Sequence, residues 1–383
     1  MYDIIVIGEG LAGLLAAIGA KSHGLSTALV ASGTGKLMQA TGVMDQFPNF
    51  ENFTDHFGSR SDNQAIDISG AMASFKKLTE QLGYPYQGDP DRPVAIVTGS
   101  GWVKRTALYP ETLVPILDQG HALIVGFNEL VDFQPAFVKE NLRRERPGLH
   151  ADAFMISLGH RSQRVMTQLD AAHLLDQEEI RKSCIEQIKK QLTQQQITQP
   201  DICIFPSSLG MRHWREIVRQ FSRELGCPVT EAPGMPPNAT AIRLNDVLCT
   251  EAIRLGVRLY VDTTVDGCHV DGKHLRTIRV RNASRIIDLA GREFILATGG
   301  VLGGGLSVTA SGFRETALHL AMIPNGKLEV PPENLHPAGA ARAMSTFSSP
   351  VVGGVYTIWS SLDALDKAEK RLRNPVSGGM GHV

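Results

Sequence analysis

Three glycines near the start of the chain, Gly8, Gly10 and Gly13, fall in the spacing G-x-G-x-x-G. That spacing suits the recognition of a diphosphate. The first glycine permits a tight turn, the second lets backbone N–H groups approach phosphate oxygens, and the third lets a helix pack closely on a strand. The N-terminus of that helix adds partial positive charge. Gly8, Glu9, Gly10, Leu11, Ala12 and Gly13 therefore form the first candidate binding segment. A second lies at Ala297-Thr298-Gly299-Gly300, where glycines again let backbone pass close to a nucleotide. The carboxylate that usually grips a ribose, about 20 residues past the motif, has no counterpart here. No Asp or Glu occurs between Gly10 and Met44, and no Arg stands there to receive a 2′-phosphate. Ser32 offers one hydrogen bond at that place, and the small polar loop through Thr41 and Gly42 adds a further candidate contact.

These residues need elements to hold them. Tyr2–Ile7 reads as a buried strand because Ile4 to Ile7 is continuously apolar. A helical pattern follows to His23, with Leu11, Leu14, Leu15 and Ile18 on one side and Gly24 as the C-terminal cap. Leu25–Ala31 completes a βαβ unit, the context that the glycine motif requires. Beyond Pro237, Leu244, Val247, Leu248 and Ile253 fit one helical face, and Val257–Val261 fits a strand. Strand-like stretches around His269, Leu275–Arg281 and Arg285–Leu289 read as a β-meander, which returns through Glu293–Leu296 into the Ala-Thr-Gly-Gly turn. The fold expected is α/β: a two-part Rossmann-like domain of the FAD/NAD(P) kind, with a parallel sheet and a β-meander, built from residues 1–46 and 236–383. An α/β domain is inserted at 47–235, where strands at 94–97, 121–126 and 202–205 alternate with helices at 71–82, 135–144, 174–196 and 214–225.

Other polar clusters carry less. Lys104 and Arg105 beside Trp102 read as a solvated edge, and Arg143, Arg144 and Arg146 sit where a helix C-terminus favours cations. His213-Trp214-Arg215 reads as a capping histidine and a packed tryptophan. The five cysteines include no C-x-x-C pair, so neither a zinc ribbon nor a Cys-ligated iron–sulfur cluster is expected, and no metal site is read. Scattered free thiols point to a reducing cytosol. Asp3 and the lack of a basic leader argue against a signal peptide, and no apolar run approaches the roughly 20 residues that span a bilayer. Lys and Arg number 38 against 39 Asp and Glu, a formal charge of −1, which argues against nucleic acid as a partner. Glycine is the one excess, at 38 of 383 residues.

With both halves in view, the chain resembles the FAD-dependent oxidoreductase superfamily and, within it, the B-subunit family of anaerobic glycerol-3-phosphate dehydrogenases. The resemblance rests on Ile5 to Ala17, His23-Gly24-Leu25, Thr41 to Asp45 and Gly126 to Leu142. It continues through Met235-Pro236-Pro237, Ala241 to Leu244, and Ala297 to Leu306. It implies a flavin-carrying partner of a catalytic flavoprotein subunit, the pair oxidising sn-glycerol 3-phosphate to dihydroxyacetone phosphate. Electrons would leave through an iron–sulfur, membrane-associated third subunit towards quinone. FMN is the cofactor the resemblance implies, with FAD as the alternative that a diphosphate cradle suits. The location implied is cytoplasmic, peripheral on the inner membrane through a partner subunit.

Two other readings stand beside this one: a free-standing FAD oxidoreductase of the fumarate-reductase kind, and a non-catalytic scaffold that keeps the fold. No catalytic residue is assigned; Arg243, Arg314, His319 and His336 are the groups whose chemistry would suit a phosphate or a carbinol. The family's final strand, turn and helix are matched only in part by Asn334 to Gly339. Asn374 to Val383 looks like the start of the final glycine turn, so the helix that normally follows it is expected to be missing.

Overall fold

The computed structural model describes residues 1–46, 67–159, 164–310, 312–322, 328–342 and 353–374. The stretch 47–66, with which the expected inserted domain opens, and the glycines at 378–381 lie outside the described residues. In chain order the early strands are β1 (Tyr2–Ile7), β2 (Thr27–Val30), β3 (Tyr86–Gly88), β4 (Val94–Val97), β5 (Val103–Thr106) and β6 (Leu108–Pro110). Then come β7 (Gly120–Phe127), β8 (Leu149–Ile156), β9 (Ile202–Pro206), β10 (Val229–Ala232), β11 (Arg258–Tyr260) and β12 (Thr264–Asp271). The last are β13 (His274–Arg281), β14 (Ile286–Leu296), β15 (Leu306–Thr309), β16 (Gly312–Glu315) and β17 (Leu335–Pro337). The helices are α1 (Leu11–Ser22), α2 (Ile68–Gln81), α3 (Pro135–Glu145), α4 (Gln168–Leu175), α5 (Glu178–Gln194), α6 (Trp214–Leu225), α7 (Ala239–Leu255) and α8 (Gly354–Arg373).

The chain divides into two compact units. The first comprises Met1–Lys36 with the described parts of Gln46–Phe75 and Val247–Val383; the second comprises Leu37–Asp45 and the described parts of Lys76–Asp246. The boundaries thus fall after Lys36, Asp45, Phe75 and Asp246, whereas the sequence reading places them at 46 and 236.

In the first unit a seven-stranded sheet runs β11-β2-β1-β14-β13-β12, with β17 also pairing β14. β1 is parallel to both neighbours: Ile4 pairs with Thr27 and Glu293, and Ile7 with Val30 and Leu296. A strand so enclosed has no face for water, which is why Ile4, Ile5 and Val6 form an unbroken apolar run and are wholly buried. β14 serves two sheets in one. Its first half, Ile286 to Ala290, pairs antiparallel with β13, and its second half pairs parallel with β1 and β17.

Past Asn374, the turn expected at Asn374 to Val383 and any helix after it lie outside the described residues, but a strand and a helix precede them. Asn334 to Gly339 holds the last parallel strand, β17, with Leu335 beside Phe294. A helix, α8, does follow it, starting after Gly353. α8 lies against α1: Ser361 Oγ donates to the Ala12 carbonyl at 2.6 Å, and Leu365 Cδ2 fills the space where a Cβ on Gly19 would be, 2.5 Å away. Buried Ser360 accepts the Gly339 N–H at 2.9 Å, which ties the turn after β17 to the same helix.

The second unit holds a four-stranded, all-parallel sheet in the order β10-β9-β7-β8. Alternate residues of β7 face two separate cores. Leu123, Val125 and Phe127 pack with Ile185, Ile188, Ile217 and Phe221 of α5 and α6, while Ala122 and Ile124 pack with Val138 and Leu142 of α3. Both faces are therefore covered by helices, the arrangement that lets a strand be apolar throughout. The expected single helix from 174 to 196 is broken at Asp176 and Gln177 into α4 and α5. The break coincides with a contact remote in sequence: the Asp176 carboxylate accepts the backbone N–H groups of Met211, Arg212 and His213, at 2.9 to 3.2 Å, and so ties down the turn that leads into α6.

α4 carries its own cap. Thr167 Oγ1 accepts from the Asp170 amide at 3.3 Å, and Asp170 Oδ2 accepts from the Thr167 amide at 2.9 Å. Arg164 donates to both Asp170 oxygens, at 2.9 and 2.5 Å, and these bonds, followed by those from Thr167, hold the carboxyl down at about 2 against its ordinary 3.8. A carboxyl whose value is lowered by folding stabilises the fold above its unfolded value and ceases to do so as pH falls through the folded one. Asp170→Asn should therefore lower the melting temperature at pH 7, and the gap from wild type should close as pH drops from about 4 to about 2. A gap that stays constant across that range would count against the assignment.

Candidate nucleotide-binding site

The site is built from turns at the C-terminal ends of four parallel strands. β1 ends at Ile7, and Gly8 follows with φ +109°, a conformation that favours glycine. A Cβ on Gly8 would stand 2.3 Å from the Ala297 carbonyl oxygen, so the turn after β1 and the turn after β14 pass in direct contact. A Cβ on Gly13 would stand 1.9 Å from the Gly8 carbonyl oxygen, so α1 lies on the turn as closely as only glycine allows. Gly35, in the loop after β2, approaches the same place: its Cβ would meet Gly10 Cα at 2.6 Å. The turn after β17 arrives there as well, with a Gly339 Cβ position 3.2 Å from Ala12 Cβ.

Within this gathering Gly10 differs from its neighbours. Its backbone is extended, and a Cβ added there meets nothing within 4 Å. Glycine is thus not required at Gly10 by any protein neighbour. Gly10 is also the N-cap of α1, whose first turn has no acidic residue and no side-chain cap. Among the described residues no capping side chain accepts from its leading N–H groups. Thr298 Oγ1, in the turn after β14, is buried without a hydrogen-bond partner among the described residues. Open space at the second motif glycine, an uncapped helix start and an orphaned buried hydroxyl in one place are what a diphosphate-bearing nucleotide would use.

The structure thus brings together Gly8, Glu9, Gly10, Leu11, Ala12 and Gly13 with Ala297, Thr298, Gly299 and Gly300. Gly35, Gly305 and Gly339 join them; a Gly305 Cβ would stand 2.3 Å from the Gly299 carbonyl oxygen. Glu9 Oε1 accepts from the Cys249 thiol of α7 at 3.4 Å, a contact across 240 residues that no local pattern announces. Ser32 is exposed just past the end of β2. Thr41 and Gly42 belong to the second unit instead. Thr240 Oγ1 donates to the Thr41 carbonyl at 2.7 Å, Tyr86 donates its hydroxyl to the Gly42 carbonyl, and Gly42, with φ +80°, packs on the Ala241 backbone.

The cationic groups whose chemistry suits a phosphate substrate are mostly spoken for. Arg243 is buried, with Nη1 and Nη2 on the two Glu231 oxygens at 2.7 and 3.0 Å and Nε on the Gly210 carbonyl at 2.7 Å. Tyr84 lies beneath it, and burial pushes that phenol up to about 12. His336 is buried against Glu293 at 2.7 Å, and His319 is exposed beside Asp266 at 3.3 Å. Lys104 pairs with Asp45 at 2.7 Å. Arg314 is exposed on β16.

Comparison with known proteins fits this geometry. The FAD binding domain family matches residues 3–343. The chain belongs to that family. The match covers the glycine turn after β1, the whole second unit and β17, so the family assignment spans both units. Among curated relatives, the B subunit of anaerobic glycerol-3-phosphate dehydrogenase from Vibrio vulnificus is 27% identical over 84% of this chain and 78% of its own. A probable B subunit of the same enzyme from Halobacterium salinarum is 27% identical over 79% of this chain and 75% of its own. Among solved structures, a 3-ketosteroid dehydrogenase from Rhodococcus jostii matches 78% of this chain at 14% identity and a TM-score of 0.33. A variant of E. coli quinol fumarate reductase matches 78% at 12% identity and a TM-score of 0.31. This chain spans 46% and 33% of those two structures. Among the described residues no helix is long and apolar enough to cross a membrane.

Proposed function

We propose that this chain is the flavin-carrying B subunit of a glycerol-3-phosphate dehydrogenase, working with a catalytic flavoprotein subunit and an iron–sulfur, membrane-associated subunit. The observation that carries the reading is the cradle around Gly10, open to a ligand and closed to protein, in a chain whose curated relatives bear that subunit's name. The cofactor we assign is FAD, because an uncapped helix start behind a G-x-G-x-x-G turn suits a diphosphate, which FMN lacks. The Leu11 to Gly13 end of α1 and the Gly8 turn would hold the diphosphate, the Ala297 to Gly300 turn with the Thr298 hydroxyl would line the nucleotide, and Ser32 would reach the ribose. A bound flavin supplies two-electron redox chemistry; the chain supplies position and exclusion of water.

Oxidation of the carbinol of glycerol 3-phosphate to a ketone removes two electrons and two protons, and the substrate's phosphate calls for Arg or Lys. Among the described residues Arg243 is committed to Glu231 and His336 to Glu293, which supports a base and a phosphate clamp supplied by the catalytic partner. The test is direct. Heating the purified chain should release FAD, and glycerol 3-phosphate should reduce a dye only when the partner subunits are present. Release of FMN would overturn the dinucleotide assignment. A colourless chain that neither flavin reconstitutes would overturn the reading as a whole.

A further inference from the structure

The second unit holds a side-chain cluster that the nucleotide site does not use. β7 and β8 are parallel, with His121 beside His150 and Leu123 beside Asp152. Residues two apart on a strand share a face, so His150 and Asp152 project together and His121 projects next to them. Their side chains meet. His121 Nε2 is 3.0 Å and His150 Nε2 3.4 Å from the same oxygen, Asp152 Oδ2. One ligand atom from each of the three residues lies within 4.8 Å of the other two.

We propose that His121, His150 and Asp152 bind a divalent cation of the zinc class at the N-terminal ends of β7 and β8. Two imidazole nitrogens and one carboxylate oxygen form a donor set that zinc and other late first-row ions prefer, while calcium and magnesium take oxygen alone. The two histidine-to-carboxylate spacings, 3.0 and 3.4 Å, agree: bonds of about 2.0–2.1 Å in a tetrahedron set neighbouring ligand atoms about 3.3 Å apart. The backbone register fixes this arrangement in advance, so little side-chain freedom is lost on binding.

The groups around the ligands suit an ion. Thr198 Oγ1 lies 3.3 Å from His121 Nδ1, the ring nitrogen that faces away from Asp152. A hydroxyl can donate to that nitrogen or accept from it, so it supports the ring both when Nε2 carries a proton and when Nε2 carries a metal. Lys139 Nζ stands 3.7 Å from the other carboxylate oxygen, Asp152 Oδ1, and leaves Oδ2 to the ion. The ammonium also competes for the carboxylate's charge and so weakens the site. His121 is buried and His150 is 69% exposed, so the fourth coordination position opens to solvent and would take water. Binding adds a cross-link between the starts of two strands that are already paired in the sheet.

The experiment uses the full chain stripped with a chelator and then titrated with cobalt(II), read by its visible d–d absorption, and with zinc by calorimetry. One ion per chain is expected. His150→Gln changes an exposed side chain and should leave the fold intact by circular dichroism, yet weaken binding at least about tenfold. Asp152→Asn should do the same, and Lys139→Gln should tighten binding several-fold by removing the competing cation. No uptake of either ion at roughly 100 µM would overturn the proposal. So would uptake at wild-type strength in His150→Gln, since that places the ion elsewhere, for example on Cys249 or Cys268.

Discussion

Replacing Gly10 with valine is expected to leave the flavin-free protein folded and to strip the flavin from it. A Cβ at Gly10 meets no protein atom within 4 Å, and the residue's extended backbone is open to any side chain. Among the described residues none stands in the way of a Cβ there, so the group it would displace is a ligand. Losing two charge-assisted hydrogen bonds from the backbone to a diphosphate costs about 3 kcal/mol or more, which is over a hundredfold in affinity. Gly13→Ala should behave in the opposite way. Its methyl would stand 1.9 Å from the Gly8 carbonyl oxygen, so α1 must move off the turn and the first unit loses stability whether or not flavin is present. Flavin content per chain and the melting temperature of the flavin-free protein separate the two cases. Should Gly10→Val keep flavin at wild-type affinity, the cradle is not a phosphate site.

The second large effect is in the other unit. Glu231→Ala leaves the Arg243 guanidinium buried without its carboxylate, facing only the Tyr84 ring and the Gly210 carbonyl. Breaking one side of a buried ion pair costs about 3–5 kcal/mol, because the remaining charge keeps its desolvation penalty. Glu231 also accepts the Leu209 amide at 2.8 Å, so the turn after β9 loosens as well. Replacing both partners with apolar residues, Glu231→Leu with Arg243→Met, removes the orphaned charge and should recover most of that loss. Urea unfolding of the two single variants and the double variant gives the coupling energy directly. Single variants that lose under about 1 kcal/mol would show that the pair is more hydrated than its burial indicates.

How much of this is legible in the sequence depends on the range of the interaction. β1 and β4 have the bounds that their apolar runs predict, and α6 runs from Trp214 to Leu225 as its pattern does, because burial and periodicity are local signals. The glycine motif is legible for the same reason. The break between α4 and α5 is not, since it goes with Asp176 binding a turn that begins 35 residues away. The loop at Thr41 and Gly42 is small and polar, which announces a close approach but not to what; Thr240 and Tyr86 decide that. α8 does carry a readable face, with Val355, Ile358, Trp359, Leu365 and Ala368 buried and Lys370, Arg371 and Arg373 in its last turn. The glycines at 378–381 draw the expected turn past it. The His121, His150 and Asp152 cluster has no motif at all, because its members meet through the register of two strands rather than through spacing along one.

The pairing of β1 between β2 and β14 also sets a timetable. β2 ends at Val30 and β14 begins at Ile286, so roughly 250 residues must be made before β1 gains its second neighbour. At ribosomal speeds of about 5–20 residues per second, that is roughly ten to fifty seconds with one edge of the central strand unpaired. The second unit's sheet, from Gly120 to Ala232, is synthesised entirely within this interval. The nascent chain therefore completes its inserted unit first, and the turn at Gly8 acquires its Ala297 neighbour only near the end of synthesis. Cofactor capture is a late event in the life of this polypeptide, and a chaperone that shields a bare apolar strand has most to do before it.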